Sequence, residues 1–301
     1  MKLIVILGPT AVGKTSLAVN LADKLEGEII SADSRQVYRG MDLGTGKDLE
    51  EYNVDGRKIK THLIDIKDAG KAYNVFDFQK DFYASYTEII ENDKRPILCG
   101  GSGLYIEAAL AKEKMLEVPS NTDLRVNLKN YSQTELVEKL KSLQPKMHNE
   151  TDRIDRERTI RAIEIEVFKN EDHKVEQSPI QNPVVFGIKM DREKLRERIA
   201  VRLNQRLDNG MVQEVERLLK AGVSHQQLLY YGLEYKFIAQ YLNKELTYDQ
   251  MVVKLLQAIR QFAKRQMTWY RRMEKKGQKI HWIDAEESAE EKLRIVLEIV
   301  K

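Results

Sequence analysis

Residues 8–15 read Gly-Pro-Thr-Ala-Val-Gly-Lys-Thr, and this stretch decides the fold. It follows an apolar run at 3–7 with the length of a strand, and it precedes residues 16–22, whose apolar positions have helical spacing. A glycine-bounded loop between a strand and a helix cradles phosphate, because its amides point inward and the helix dipole favours an anion. Lys14 adds a mobile positive charge, and the Thr15 hydroxyl is placed to hold Mg²⁺. The pattern therefore predicts a phosphate-loop protein that handles a diphosphate or a triphosphate.

The composition fits one large domain or two modest ones. The chain has 301 residues, of which 42% are hydrophobic and 32% are charged, so it can form a core and a hydrated surface. No apolar run approaches the roughly 20 residues that span a bilayer. The single cysteine, Cys99, excludes an intrachain disulfide and fits a reducing cytosol, and the five histidines show no metal-ligand spacing. We therefore expect a cytoplasmic protein without a membrane segment or a zinc site.

Strand and helix signals alternate along much of the chain. Short apolar runs predict strands at 3–7, 28–31, 60–65, 96–99, 183–190 and 279–284. Helical patterns lie between most of them, at 14–25, 75–92, 103–112 and 192–219. This order predicts an α/β fold, a P-loop NTPase-like parallel sheet with helices on both faces. The site should lie where the carboxyl ends of the strands meet at one edge.

The strand signal disappears between residues 112 and 181. Residues 132–143 and 153–170 read as helices there, which predicts a helical insertion at 114–180. The remaining ranges, 1–113 and 181–301, would form the phosphate-loop core. The helical block from about 192 to 275 is broken at Gly210, at Gly222 and near Tyr231-Gly232.

Two further segments follow predicted strands and carry polar side chains. In residues 31–40, Asp33 is a candidate general base or metal-orienting carboxylate, although it could instead be a helix N-cap before a solvated loop. Arg35 and Gln36 offer donors that suit a base or a phosphate. In residues 100–105, three glycines would allow a ligand to approach the backbone beside the Ser102 hydroxyl, unless this is an ordinary strand-to-helix turn.

Seven segments occur in the order typical of one enzyme family: GPTAVGKT, SADSRQVYRGMDLGTGK, THLIDI, YNVFDFQ, PILCGGSGLY, DRERTIRAIEI and AIRQFAKRQMTWYRR. Over nearly its whole length the chain resembles tRNA dimethylallyltransferases of the bacterial type. These isopentenyl transferases modify the adenosine 3′ of the anticodon. The segments SADSRQVYRG and RQFAKRQMTW are much more specific than the phosphate loop.

The resemblance implies which residues bind the donor. The loop would hold the diphosphate of dimethylallyl diphosphate rather than ATP, with Mg²⁺ on Thr15. The donor-binding residues would be Gly8, Pro9, Thr10, Ala11, Val12, Gly13, Lys14 and Thr15. Arg206 lies on a predicted helix and could reach the diphosphate, although a solvent-exposed arginine would fit that position equally well.

The resemblance also implies the acceptor side. Asp33 would accept a hydrogen bond from the adenine amine and take its proton, and Lys14 and Ser102 would share in catalysis. The extruded nucleotide and its neighbours would contact Ser34, Arg35, Gln36 and Ser102. The anticodon stem-loop would contact Arg125, Glu157, Arg158, Thr159, Ile160 and Arg161.

The distribution of charge supports an RNA partner, although the net charge of +3 does not. Residues 254–279 hold nine basic residues and one acid. On a helix, Arg260 and Lys264 would neutralise phosphates together with Arg265 on the next face, and Trp269 would offer a stacking surface. The alternative is a solvated basic helix end with Trp269 in the core.

Several positions depart from the family pattern. Ser102 replaces the usual threonine of GGTGLY, residues 44–48 read GTGKD instead of GTAKP, and residues 61–65 read THLID instead of HHLID. Residues 231–235 read YGLEY where the family has GYKE, which puts RNA contacts at 228–236 in doubt. The chain ends at Lys301 without the zinc finger of eukaryotic relatives, as expected for the bacterial form.

Two other enzyme classes share the phosphate loop. An adenylate isopentenyltransferase would act on free AMP, ADP or ATP and would not need the basic segment or the insertion. A small-molecule kinase would bind ATP and use Asp65 or Asp33 to activate an acceptor hydroxyl. We expect a monomer, because one chain suffices to grip one RNA arm.

Overall fold

The computed structural model describes residues 1–144, 154–171 and 173–300. The chain divides into two compact units, a core unit of Met1–Ala111 and Pro179–Lys301 and an insertion unit of Lys112–Ser178. This division lies two residues before each end of the predicted insertion 114–180.

The strands of the core unit are β1 (Ile4–Leu7), β2 (Gly27–Ser31), β3 (Asn53–Val54), β4 (Arg57–Lys58), β5 (Thr61–His62), β6 (Arg95–Gly100), β7 (Val184–Lys189) and β8 (His281–Asp284). Strands β3 and β4 form an antiparallel pair. The others form one sheet in the order β5-β2-β6-β1-β7-β8, in which every pair is parallel. The predicted parallel α/β sheet is confirmed.

The helices are α1 (Lys14–Leu25), α2 (Val75–Glu91), α3 (Gly103–Ala109), α4 (Thr122–Leu128), α5 (Gln133–Leu143), α6 (Arg156–Lys169), α7 (Arg192–Asp208), α8 (Met211–Lys220), α9 (His225–Leu228), α10 (Leu233–Leu242), α11 (Tyr248–Lys275) and α12 (Ala289–Val300). A 3₁₀ helix covers Leu49–Tyr52. Helix α1 connects β1 to β2 in one direction across the sheet, and α2 connects β5 to β6 in the other. Since such crossovers are right-handed, α1 and α2 lie on opposite faces.

Local sequence explains where the elements differ from prediction. The helical pattern at 192–219 is two helices, because Gly210 at φ +96° separates α7 from α8. The strand expected at 60–65 is limited to β5, since Leu63 and Asp65 adopt positive φ angles. Helix α6 begins at Arg156, and residue 153, where this helix was predicted to start, lies outside the described residues.

Each unit has its own apolar core. The residues of β1 are buried throughout, as expected for a central strand covered by helices on both faces. The insertion unit packs a smaller cluster of Leu128, Leu136, Leu140, Ile160 and Ile163. Among the described residues, no helix combines the length and the apolar character that crossing a membrane requires.

The register of the sheet brings three loops to one edge. Leu7 at the end of β1 pairs with Gly100 of β6, and Ser31 at the end of β2 pairs with Cys99. The phosphate loop, the loop that begins at Ala32 and the Gly101-Ser102 turn therefore leave the sheet side by side.

Candidate functional site

The phosphate loop ends in a helix terminus that is open to an anion. Gly13, at φ +87°, is the N-cap of α1, and no side chain caps the first turn of this helix. Lys14 folds back over the loop and donates from Nζ to the carbonyl oxygen of Pro9 at 2.7 Å. The amides of the first turn remain for a ligand, as an anion-binding loop requires.

Lys14 sits in a desolvated position. Burial, together with repulsion from Arg202, lowers the pKa of its ammonium to about 8, whereas Cys99 and the Asp33 carboxylate act in the opposite direction. A bound anion would offset the cost of burying this charge.

A cavity of about 460 Å³, the inner cavity, opens from the phosphate loop towards the ends of β2 and β6. Thr10, Lys14 and Thr15 line one side, and Asp33, Ser34, Arg35, Gln36 and Ser102 line another. The structure thus brings together three sequence segments that were singled out separately.

A second cavity of about 930 Å³, the outer cavity, lies on the other side of Lys14. Four residues line both cavities: Lys14, Thr15, Arg202 and Arg206. We call this set the junction. The junction combines three cations with one hydroxyl, a set that suits a diphosphate.

Arg202 and Arg206 share the carboxylate of Asp48. Nη2 of Arg202 lies 2.6 Å from Oδ2 of Asp48, and Nη2 of Arg206 lies 3.5 Å from the same oxygen. Burial and the neighbouring Arg202 lower the pKa of the Arg206 guanidinium. The structure therefore favours a buried Arg206 over the exposed alternative. Arg202 was not among the predicted site residues, although its position one turn before Arg206 could have indicated it.

Asp33 opens a turn and does not cap a helix. Its Oδ1 accepts a hydrogen bond from the backbone N–H of Arg35 at 2.9 Å, and residues 34–37 form turns. The helix N-cap alternative is wrong. Within the part of the chain that the structure describes, Oδ2 of Asp33 has no hydrogen-bond partner, which leaves it for a ligand.

The Ser102 hydroxyl turns towards the Asp33 loop. Its Oγ accepts from the backbone N–H of Ser34 at 3.4 Å, and it does not cap α3. The two loops are also joined by the N–H of Ser102, which donates to the carbonyl oxygen of Ala32 at 3.3 Å. The hydroxyl that replaces the family threonine is thus held at the same loop as Asp33.

The side chains of Arg35 and Gln36 differ in how many of their polar groups are available to a ligand. The Arg35 guanidinium makes no hydrogen bond within the described residues, and it lines the inner cavity. Gln36, in contrast, accepts from the Ser31 hydroxyl at 2.9 Å and donates to the carbonyl oxygen of Gly46 at 3.2 Å. Its carboxamide supports a loop, so contact with RNA would require these bonds to break.

Part of the inner cavity wall is apolar or uncharged. Cys99, Ile259 and Phe262 contribute to it, and burial raises the pKa of the Cys99 thiol to about 12, so the thiol stays neutral. Glu234 also lines this cavity, and burial raises its pKa. Glu234 could not be predicted as a site residue from the sequence, because it falls in the segment that departs from the family pattern.

Buried charges fix the loop at residues 42–48. Both oxygens of Glu214 accept backbone N–H groups, from Asp42 at 2.9 Å, Leu43 at 2.8 Å and Gly44 at 3.0 Å. Lys47 is buried and bonds to Asp42 and to Asp65. Asp65 therefore stabilises the loop and does not line the inner cavity, which removes one of the two bases of the kinase alternative.

Helix α11 carries the predicted basic residues in different environments. Lys264 and Arg265 are exposed, whereas Arg260 donates from Nη2 to the carbonyl oxygen of Arg196 at 3.3 Å. The Trp269 ring lies against Gly103 and under the guanidinium of Arg272, whose Cζ is 4.0 Å from the ring centroid. The expectation of an open stacking surface at Trp269 is wrong, because the ring is packed at the margin of the core.

Some of the predicted RNA contacts of the insertion unit are buried and others are exposed. Thr159 and Ile160 are buried in this unit, so their side chains are not placed to contact RNA. Glu157 and Arg158 are exposed.

Arg125 and Arg161 hold the buried Glu164. Nε of Arg125 lies 2.7 Å from Oε1 of Glu164, and Nη1 of Arg161 lies 3.1 Å from Oε2. Burial alone would raise the pKa of Glu164, but the hydrogen bonds from Arg125, the N–H of Asn121 and Arg161 hold it at about 2. Both arginines thus stabilise the insertion unit.

Comparisons with known proteins agree on one family. A sequence model described as IPP transferase matches residues 36–273. The chain is 52% identical to tRNA dimethylallyltransferase 2 of Bacteroides fragilis, over 99% of this chain and 98% of that protein. It is also 52% identical to tRNA dimethylallyltransferase 1 of Parabacteroides distasonis, over 99% and 97% of the two chains.

Solved structures are similar as well. The tRNA isopentenylpyrophosphate transferase of Bacillus halodurans aligns with a TM-score of 0.72 at 34% identity, covering 99% of this chain and 95% of its own. A eukaryotic dimethylallyltransferase acting on tRNA aligns with a TM-score of 0.76 at 23% identity, which bears on the fold alone.

Proposed function

The chain belongs to the IPP transferase family, and on that premise we propose how it works as a tRNA dimethylallyltransferase. The enzyme moves a dimethylallyl group from dimethylallyl diphosphate to the exocyclic amine of the adenosine 3′ of the anticodon. Diphosphate is the second product. The single observation that carries the assignment of roles is the junction, whose three cations also line the inner cavity that contains Asp33.

The donor diphosphate binds at the junction. Lys14 and the uncapped amides at the start of α1 receive it from one side, and Arg202 and Arg206 receive it from the other. The five-carbon allyl group then points into the inner cavity, where Cys99, Ile259 and Phe262 offer neutral surface. An apolar group gains about 0.8 kcal/mol for each CH₂ that it buries.

The acceptor adenine enters the inner cavity from the RNA. A base inside a stacked loop cannot reach an enclosed donor, so the nucleotide has to be flipped out. Asp33 accepts a hydrogen bond from the exocyclic amine through Oδ2, Ser102 stands beside it, and Arg35 contacts the nucleotide.

The reaction exchanges one bond for another. The bond between the allyl carbon and the diphosphate oxygen breaks, a bond between that carbon and the amine nitrogen forms, and one amine proton passes to Asp33. Lys14, Arg202 and Arg206 stabilise the charge that develops on the leaving diphosphate. An aromatic amine is a weak base, so its proton leaves during or after attack.

Mg²⁺ fits the donor set at this place. The Thr15 hydroxyl and the Asp33 carboxylate line the same cavity, and oxygen atoms are the ligands that Mg²⁺ prefers. Among the described residues, no group of three or more His, Cys, Asp or Glu could hold a metal, so the diphosphate and water would supply most ligands. A bound ion would add positive charge at the leaving group.

The anticodon arm binds to exposed cations. Lys264 and Arg265 on α11 are exposed, which supports their role as phosphate contacts. Arg158 of the insertion unit is also exposed and is a second candidate. We propose that one chain in the cytoplasm serves one tRNA.

A transfer assay with two acceptors tests the function. Radiolabelled dimethylallyl diphosphate is supplied with Mg²⁺ and either unmodified tRNA or AMP. Label on tRNA and none on AMP is expected. Label on AMP alone would make the chain an adenylate isopentenyltransferase. Label on neither acceptor, together with ATP-dependent phosphoryl transfer, would favour the kinase alternative.

A further inference from the structure

Helix α11 has a buried polar face that bonds to two loops of the site. Gln266 and Tyr270 lie one turn apart on it, and their exposed fractions are 6% and 0%. Oε1 of Gln266 accepts a hydrogen bond from the backbone N–H of Thr10 at 3.0 Å, and its Nε2 donates to the carbonyl oxygen of Gly101 at 2.9 Å. One carboxamide therefore joins the phosphate loop to the turn after β6.

Tyr270 repeats this connection one turn along the helix. Its hydroxyl lies 3.1 Å from the carbonyl oxygen of Gly8 and 3.0 Å from that of Gly101, so its single proton is shared between the two loops. The partners of both side chains are backbone groups of Gly8, Thr10 and Gly101. They lie beyond the ends of β1 and β6, so the hydrogen bonds of the sheet do not include them. Leaving such a buried group without a partner is destabilising, so these bonds tie both loops to the helix.

The two loops carry the opposite halves of the reaction. The phosphate loop contains Lys14, which binds the donor, and Gly101 directly precedes Ser102, which bonds to the loop of Asp33. The distance between Thr10 and Gly101 therefore controls the distance between the allyl carbon and the amine nitrogen. Gln266 spans that distance from a rigid helix.

We propose that Gln266 is a positioning residue, which sets the rate of allyl transfer by fixing the donor loop against the acceptor loop. The proposal rests on the proposed function. Gln266 lines the inner cavity, but its Oε1 and its Nε2 both bond to backbone atoms of the two loops. A positioning role therefore fits this carboxamide better than a role in substrate binding. Small displacements of reacting groups are costly, and a shift of about 1 Å can lower a rate about 100-fold.

The same helix presents Lys264 and Arg265 to solvent. The element proposed to bind the RNA is thus the element that holds both loops. An anticodon arm bound to the exposed face of α11 would be fixed in position relative to the donor and the acceptor residues together.

The test uses three variants of the full chain. Gln266→Leu removes both hydrogen bonds, whereas Gln266→Glu keeps an acceptor for Thr10 but has no donor for Gly101 when ionised. Gln257→Leu is the matched control, because Gln257 is an exposed glutamine on the same helix. For each protein, the single-turnover rate of transfer to tRNA is measured with both substrates saturating. The dissociation constants of inorganic pyrophosphate and of tRNA, with their stoichiometries, are measured by titration.

We expect Gln266→Leu to lower the single-turnover rate at least tenfold, with both dissociation constants within threefold of wild type and full stoichiometry. Gln266→Glu should lower the rate at least as much, because its ionised carboxylate would face the carbonyl oxygen of Gly101, and Gln257→Leu should match wild type. A smaller fall in rate would overturn the proposal. A fall that parallels lost stoichiometry or weaker pyrophosphate binding would also overturn it, because Gln266 would then only maintain the fold. Absence of transfer by the wild type would count against the proposed function instead.

Discussion

Gly46 leaves room for the guanidinium of Arg206. A β carbon at position 46 would lie 2.9 Å from Cζ of Arg206 and would overlap its Nη2. The family usually has alanine at this position, in GTAKP, and the next departure, Asp48, is the residue that pairs with Arg206. Two departures from the family pattern thus surround one cation of the junction.

Gly46→Ala should weaken donor binding through Arg206. The added methyl group displaces a flexible guanidinium, and the loss of a charged hydrogen bond of about 1.5 to 3 kcal/mol predicts roughly a 10- to 100-fold weaker affinity for pyrophosphate. Gly40→Ala is the matched control. Gly40 has φ +71° against +69° for Gly46, and a β carbon there would meet no atom within 4 Å. Equal weakening by both substitutions would trace the effect to backbone strain.

Substitutions at Asp33 and at Glu234 should show which of these two carboxyl groups accepts the proton. Asp33→Asn keeps the shape of the side chain but cannot take a proton, so the rate of transfer should fall by about 10² to 10⁴. Glu234→Gln alters the other carboxyl group of the inner cavity and should change the rate less than tenfold. Steady-state rates with saturating tRNA check both values. The opposite ranking would assign proton removal to Glu234.

The affinity for pyrophosphate should depend on the charge of Lys14. Its pKa of about 8 lies below the ordinary lysine value, so the anion-binding ammonium is present below pH 8 and is lost as the pH rises. Between pH 7 and pH 9 the dissociation constant should rise about tenfold more in the wild type than in Lys14→Gln. The ionisation of pyrophosphate affects both proteins equally. The difference between their calorimetric titrations at several pH values therefore gives the contribution of the Lys14 charge. Parallel curves would show that Lys14 does not bind the diphosphate as an ammonium ion.

The exposed cations of α11 should act on RNA alone. Lys264→Glu combined with Arg265→Glu should weaken tRNA binding and reduce the slope of log affinity against log salt, while pyrophosphate binding stays unchanged. Lys24→Glu is a control of the same kind, because Lys24 lies in the last turn of α1, at the end remote from the phosphate loop. Filter binding measures the slopes at salt concentrations between about 50 and 300 mM, a range over which the affinity should change by roughly one decade. An unchanged slope in the double variant would place the RNA elsewhere.

Local patterns predicted the loops of the site, because each loop directly follows a strand. Gly13, Asp33 and Ser102 could be identified in this way, and the parallel sheet then brought their segments together at one edge. The resemblance to a family added the substrates, and the comparisons confirmed the family.

Side-chain partners could not be predicted, since they depend on packing between distant parts of the chain. Gln266 bonds to Thr10, 256 positions away, and no local signal marks that contact. The periodicity of α11 shows that Trp269 shares a face with basic residues, but it does not show that Gly103 and Arg272 cover the ring. The hydrogen bond from Gln36 to Gly46 could not be predicted for a similar reason. Gly46 lies in a loop whose position depends on the buried Glu214.

A crystal structure of the enzyme with an unreactive thiodiphosphate analogue of the donor and an unmodified anticodon stem-loop tests the central claim most directly. We predict the diphosphate at the junction, in contact with Lys14 and Arg202, and the flipped adenine in the inner cavity with its exocyclic amine bonded to Asp33. A diphosphate bound away from Lys14, or an adenine amine out of reach of Asp33, would contradict the account.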